Sequence, residues 1–430
     1  MAYAIYLKST VKMIRKLVLG TFLILTQLSW GQNGTTSPYS LAGLGELTFR
    51  GTQVNRFMGG LDVYTDSIHA NLSNPASYGE LKLTTYSLGI HYKSNLMDDG
   101  SFNQNGQTAT LDYLAVGIPA GKFGFGFGII PLTSVGYRVN TINENVNPSV
   151  IDQFQGEGGI NQAFFSLGFP LFKVIQIGAT LNYNFGNLEY NTEQFREDVD
   201  IATLLTQNSA VSGWSFLLAA NANIPIGKNH EFRAMYAYQP KAHFDSSNEE
   251  IIFARSISNN SITDFEEIQL SEKGLLSTAM KLPLSQKLGF GFGKIKKWFV
   301  GVQRNVSPFS SFENVFLKRE NITYSDANQF TVGGFFIPNY ASLTNYFSRT
   351  VYRFGFRSEQ LGVVINNIPL TETGISFGVG LPMAGYSNAN IGIEMGRRGE
   401  KNNGLIRETF FAFRVGLSLN ALWFVKPKYN

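Results

Sequence analysis

Apolar and polar positions alternate one by one through much of this chain. Phe123, Phe125, Phe127 and Ile129 are separated by single glycines, and Phe411, Phe413, Val415, Leu417 and Leu419 by Ala412, Arg414, Gly416 and Ser418. Side chains of a strand point to opposite faces in turn, so each segment presents one apolar face and one polar or small face. Fourteen segments follow this rule, at 83–93, 110–119, 121–139, 159–170, 173–190, 211–225, 230–245, 285–293, 297–305, 328–338, 348–358, 372–382, 387–397 and 406–420. A tilted membrane strand needs about nine to eleven residues, which these segments supply.

Brief connections at 119–121, 170–173, 225–229, 294–296, 339–347 and 383–386 alternate with long ones at 94–109, 140–158, 191–210, 246–284, 306–327, 359–371 and 398–405. The even count and this alternation predict an all-β fold, a transmembrane antiparallel β-barrel of about 14 strands with lipid outside and a polar lumen. The brief turns would face the periplasm and the long loops the exterior. Within the outer loops, 192–207 also fits a short amphipathic helix.

The amino terminus changes the picture of the ends. Lys8, Lys12, Arg15 and Lys16 precede an apolar run from Leu17 to Leu25, followed by Ser29-Trp30-Gly31 with small residues at both key positions. This reads as a secretory signal peptide over 1–31, too short and too interrupted to span a bilayer as a helix. Four of the 35 basic residues and none of the 31 acidic ones lie in it, so the remainder is neutral and gives no argument for nucleic acid as a partner. With no cysteine there is no disulfide, thiolate metal site or lipid anchor. Residues 32–82 lack a long periodic run but carry compact apolar stretches at Leu41–Leu47 and Phe57–Tyr64, which predicts a hatch or plug inside the lumen. The expected domains are therefore the leader at 1–31, the hatch at 32–82, the barrel at 83–422 and a periplasmic C-terminal tail at 423–430. The expected localisation is the outer membrane of a Gram-negative cell, with the lipid bilayer as first partner.

Arg56-Phe57-Met58-Gly59-Gly60 and Asn71-Leu72-Ser73-Asn74-Pro75-Ala76 stand just ahead of the first strand. They are followed in order by Leu282-Pro283, Leu288-Gly289-Phe290-Gly291, Tyr352-Arg353-Phe354-Gly355, Ser376 to Pro382 and Gly396-Arg397-Arg398-Gly399. This ordered set resembles the FadL/TodX family of outer-membrane transporters of hydrophobic compounds, and it spans nearly the whole mature chain. The resemblance implies a fourteen-stranded barrel closed by an N-terminal hatch. The Met-Gly and Asn-Pro-Ala pattern is also shared by barrels that accompany type IX secretion. The ending, Trp423 to Asn430, departs from the terminal Phe of the fatty-acid transporters.

Candidate functional residues fall into three groups. Met58, Gly59, Gly60, Asn71, Asn74, Pro75 and Ala76 form the hatch signature, Asn74-Pro75 being a turn initiator first of all. Arg233, Lys287, Arg353, Arg357, Glu394 and Arg414 occupy the polar phase of their strands and face the lumen, since each would cost a few kcal/mol against lipid. They form an internal salt-bridge network holding the hatch, or else bind a carboxylate ligand. Pro131 interrupts the third segment, where it marks a kink beside a side window or a simple strand end. The apolar residues of 246–284, among them Ile251, Phe253, Phe265 and Leu275, suggest a capture site or a docking face if they do not pack on the rim.

Enzyme chemistry finds no support. The four histidines show no metal-ligand spacing, no nucleophile elbow or zinc-protease motif occurs, and the recurring glycines have the strand period, not that of a phosphate loop. No catalytic residue, cofactor or metal is expected. The expected function is passive transport of a small hydrophobic, fatty-acid-like compound through a hatch-gated lumen. The alternative is an accessory barrel subunit of a larger complex, a secretion translocon or barrel-assembly machinery, with outer-membrane protein partners; the C-terminal tail and the apolar loop motivate it.

Overall fold

The computed structural model describes residues 34–143, 147–196, 198–401 and 404–423. The leader and residues 424–430 of the tail lie outside the described residues. Fourteen antiparallel staves close into a barrel. In chain order they are β1 Thr84–Asp98, β2 Asn103–Ala120, β3 Phe123–Asn143, β4 Val150–Pro170, β5 Ile175–Arg196 and β6 Ile201–Ile226. Next come β7, running as His230–Gln239 and then Ala242–Ser256, and β8, running as Ser277–Leu282 and then Ser285–Lys294. The circuit continues with β9 Trp298–Ser307, β10 Ala327–Phe336, β11 Val351–Ile365, β12 Ile368–Pro382, β13 Asn388–Arg398 and β14 Arg407–Ala421. Pairing of β14 with β1, from Arg407–Asp98 to Ala421–Thr84, closes the wall.

The alternation decides which face meets which medium. Phe123, Phe127, Phe411 and Phe413 stand 43–46% exposed on the outer face, while Gly124, Gly126, Ala412 and Arg414 are buried toward the lumen. Every expected strand is present, and every brief connection falls at the same end. The long connections are shorter than expected, because strands fill most of them. Residues 94–109 hold only a four-residue turn, at 99–102, and 359–371 hold a turn at Asn366-Asn367, where both residues have positive φ. The helix expected within 192–207 is absent: 192–196 and 201–207 are paired strand, Thr192 opposite Leu205.

Two proline interruptions face each other. β7 breaks at Pro240 and β8 at Pro283, between the register pairs Gln239–Ser285 and Ala242–Leu282. Proline offers no backbone N–H to a ladder.

The interior holds two separate apolar regions. Toward the outer end, Leu188, Tyr190, Val211 and Phe244 of the long staves pack against Leu270, Phe312, Phe316 and Leu317 from the connections 257–276 and 308–326. Leu270 of the longest loop, with Ile268 and Leu275 packed against it, thus turns inward to cap the mouth, while Ile257, Phe265 and Leu276 stay exposed. Nearer the other end, Val54, Met58, Leu61 and Val63 of the N-terminal segment pack on Met235, Ala237, Phe299 and Phe335. A neighbouring cluster joins Leu72, Tyr78 and Leu81 to Tyr113, Ile130 and Phe164.

Candidate functional site

Residues 34–83 lie against the inner faces of the staves, and glycines let the backbones meet. Gly59 and Gly60 take φ of +74° and +92°, conformations that favour glycine. A Cβ at Gly355 would lie 2.6 Å from Gly59 Cα, and one at Gly333 would lie 2.7 Å from the Met58 carbonyl carbon. The Gly59 amide donates to Ser376 Oγ at 3.1 Å. On the opposite wall Pro75–Glu80 forms a 3-10 turn, and a Cβ at Gly178 would lie 2.6 Å from the Ala76 nitrogen. The side-chain amides of Asn71 and Asn74 both donate to the Asp62 carbonyl, at 2.9 and 3.2 Å, and Asn74 donates also to Asn221 Oδ1 at 2.9 Å. The hatch signature thus gathers around Asp62, with Met58 to Gly60 against β10–β12 and Pro75-Ala76 against β4 and β5.

Arg233, Lys287, Arg353, Arg357, Glu394 and Arg414 lie on the inner faces of their strands, and three of the six, Arg357, Glu394 and Arg414, share one network. Glu394 takes a bidentate pair from Arg56 of the N-terminal segment, 2.7 Å at each oxygen, a third bond from Arg414 Nε at 2.9 Å and a fourth from Arg357. Arg357 also binds Glu372, which accepts from Arg398 at 2.6 Å. Arg398 continues to Glu46 of the segment at 2.5 Å and to Glu408 at 3.4 Å. Arg414 reaches Asp112, which His91 contacts at 2.6 Å. Lys287 pairs with Asp62 at 2.7 Å. Arg233 stands apart, bonding Glu231 and Thr65 with its guanidinium 4.6 Å over the Tyr64 ring. Arg353 is separate too, donating to the neutral Asn390 at 2.9 Å.

Glu46, Glu372 and Glu408 did not stand out in the sequence, and Arg398 did so only as part of Gly396-Arg397-Arg398-Gly399, without an inward phase. Arg398 and Glu46 fell in an expected loop and in the aperiodic segment; Glu372 and Glu408 open strands without any motif. The surroundings tune the segment's own carboxylates. Burial would raise the Glu46 carboxyl, but Arg398 and Lys93 hold it well below the usual range. At Asp66 burial is likewise outweighed, by His69 and two backbone amides, which bring the value down to about 2.

Pro131 sits inside β3, which runs through it as one strand; a register irregularity lies between Pro131 and Thr133 in the pairing with β4. On its other edge β3 pairs with β2 only from Ala120–Phe123 to Leu114–Ile129. Above that point β2 keeps its ladder to β1 as far as Asn103, but the two facing edges of β2 and β3 part. The N-terminal segment enters this seam. Glu46 and Leu47 pair with Ser134 and Thr133, the Thr48 amide donates to Leu132 O at 3.0 Å, and its hydroxyl bonds Pro131 O. A Cβ at Gly106 of β2 would strike Thr36, so residues 34–48 touch both lips.

Two cavities adjoin the strap formed by 46–48. The larger, about 240 Å³, is lined by Arg50, Arg56, Asp112, Glu359, Glu372, Arg398 and Arg414 beside Leu47, Phe49, Leu111 and Phe410. The smaller, about 50 Å³, is mostly apolar, with Ala42, Leu44, Phe309, Tyr324, Leu361, Val363 and Leu370. Leu47 borders both and is 49% exposed. Among the described residues no group of three His, Asp or Glu side chains is arranged to hold a metal ion.

The model of the BamG family matches residues 13–430. No curated protein sequence matches the chain. Among solved structures, the toluene transporter TbuX of Ralstonia pickettii superposes with a TM-score of 0.58 at 13% identity, covering 86% of this chain and 99% of its own. A FadL homologue of Pseudomonas aeruginosa gives 0.58 at 12% identity, covering 87% and 98%. The monoaromatic hydrocarbon channel CymD gives 0.57 at 14% identity, covering 86% and 97%. The fold is thus the FadL-type outer-membrane barrel that the sequence motifs resembled.

Proposed function

This chain belongs to the BamG family, whose model spans nearly all of it, and on that premise we propose that it is an outer-membrane barrel through which a small hydrophobic compound passes without an energy source, gated by its N-terminal segment. In this reading residues 1–31 are removed on export, 32–82 are the hatch, 83–422 the wall and 423–430 a periplasmic tail. The observation that carries it is the open seam between β2 and β3, along which the strap pairs with β3 alone, at Glu46-Leu47, and borders an apolar pocket. A compound captured among Leu44, Phe309 and Leu361 would slip past Leu47 and leave sideways once the strap lets go. Burial of its apolar area, worth about 25 cal/mol per Å², would drive capture. The names of the solved relatives, a toluene transporter and a hydrocarbon channel, support this reading by analogy of fold.

The chain has no cysteine, so an engineered disulfide gives a clean test. Leu47→Cys with Thr133→Cys joins register partners across the strap. Oxidation of the double variant in cells should reduce uptake of a monoaromatic probe such as toluene at least tenfold, and reductant should restore it. Equal uptake with the strap locked and free would remove the gate; no uptake by the unaltered protein would remove transport altogether.

A second reading makes the barrel an accessory subunit of a larger outer-membrane assembly. It is favoured by the ion-pair lattice, which bolts the N-terminal segment to β1 and β13 through Glu46 and Arg56. Such a stoppered lumen suits a structural part. Extraction in mild detergent distinguishes the two: a lone barrel with bound lipid-like ligand supports transport, a defined multiprotein complex the accessory role.

A further inference from the structure

The staves β4 to β7 run 21–26 residues, far beyond what the bilayer requires. Register fixes what their outer face presents at each height. Tyr183 pairs with Trp214, their rings 4.9 Å apart, in a row that includes the exposed His243 and marks the edge of the lipid-facing belt. Six residues higher along β6 comes an acidic row: Glu157 opposite Glu189, Glu189 opposite Asn208 and Asn208 opposite Glu249. Among the described residues none of these carboxylates has a cationic partner; Glu189 and Glu249 accept only from the amides of Asn191 and Asn208, at 2.8 and 3.2 Å. Asp245 stands exposed just below, equally unpaired.

Above the acidic row apolar side chains return to the outer face, with Glu193 opposite Leu204 and Glu267 opposite Ile251 among them. Leu204 pairs with Phe253, Phe253 with Phe265 and Thr206 with Ile251, while Ile151 faces Phe195 one row further up. Phe265 is 66% exposed, on a strand, Ile262–Glu267, whose every residue is exposed. Leu204 lies ten residues beyond Trp214, about 33 Å along the strand at roughly 3.3 Å per residue. Even at a tilt of about 40° this clears the headgroup layer, which adds only about 5–8 Å to each side of the hydrocarbon. Lipid tails therefore do not cover these side chains.

We propose that this second apolar band, with the acidic row beneath it, is the docking face for a different protein standing beside the barrel at the cell surface, one that offers apolar side chains above a row of lysines or arginines. The charge arrangement selects the occupant. A second copy docked about a twofold axis would bring the acidic row against itself, and like charges directly opposed are destabilising. Among the described residues, the cations of the outer face of β3–β7 above the aromatic belt are Arg138, one row above Glu157 on β3, and Arg255, already paired with Glu193, so the acidic row is left for a partner's charges. This face is remote from the lumen, and the inference stands whether or not the barrel transports anything.

The test is site-specific photocrosslinking on intact cells, with a benzophenone side chain placed at Leu204, at Phe265 and, as the lipid-facing control, at Phe165. The expected result is one protein adduct shared by Leu204 and Phe265 and absent from Phe165, mapped to a peptide carrying Lys or Arg. The adduct should fall at least tenfold with Glu157→Lys, Glu189→Lys and Glu249→Lys combined. It should also weaken in isolated membranes when salt is raised to about 0.5 M, where the screening length drops to a few ångströms. The salt measurement needs no variant, so it decides even if the charge reversal impairs assembly. Adducts to lipopolysaccharide or to another copy of this chain, adducts indifferent to charge reversal or salt, or no adduct would each overturn the proposal.

Discussion

The inner walls of β11–β14 and of β4–β6 hold the same N-terminal segment by opposite means. On β11–β14 the contact is ionic: Arg357, Glu372, Glu394, Arg398 and Arg414 are each at most 7% exposed and share carboxylates among several guanidinium groups. On β4–β6 the inward side chains beside the segment are neutral, while Arg233 of β7 bonds Thr65. Gln162 donates to Asn182 at 2.9 Å, Ser166 bonds Thr180 at 2.8 Å and Asn184 donates to Ser215 at 3.0 Å. There the segment approaches through bare backbone, Pro75 lying against Gly168 and Gly178. One wall grips by charge and the other by shape. A shared buried carboxylate cannot be removed without stranding its cations, whereas a neutral rung can be lost with little consequence for its neighbours.

Glu394→Gln should break the ionic side and have the largest effect. Three guanidinium groups would lose their common anion, costing about 3–5 kcal/mol, read as a lower denaturant midpoint and as protease cleavage within 34–83 while the barrel wall stays intact. Gly178→Ala tests the shape side and should cost about 1–3 kcal/mol, because the new methyl overlaps the Pro75–Ala76 backbone and the segment must lift. Hydrogen exchange at 75–80 should then rise with little change near Arg56. Ser166→Ala, which removes one rung of the neutral ladder, should cost about 0.5–1.5 kcal/mol. If Ser166→Ala matched Glu394→Gln, the contrast between the walls would be wrong.

What could be read from the sequence follows the same division. Where a stave crosses lipid, one face must be apolar, and period-two alternation located all fourteen, even around Pro131. Above the bilayer that requirement lapses. Asn103 to Thr110 and Asn191 to Arg196 are polar or mixed on both faces, so strands looked like loop or helix although their ladders continue. The lattice was visible only in part. Arg357, Glu394 and Arg414 lie in alternating segments and announced their inward phase, but Glu46 and Arg56 belong to a segment with no period at all. Their pairing across more than 330 positions of chain is set by tertiary approach alone.

The facing interruptions at Pro240 and Pro283 have a mechanical consequence. They lie at one height on adjoining staves, with Met235 and Ala237 of the lower packed region beneath and Ala242, Phe244 and Met280 of the mouth above. Gln239, at the break, takes its bond from Arg50 of the N-terminal segment at 2.8 Å. A ladder robbed of amide donors on two neighbours at once makes a crease, and panels fold along creases. The upper halves of β7 and β8 are thereby tied less tightly to the belt below, while β5 and β6, which run unbroken through this height, keep the mouth anchored.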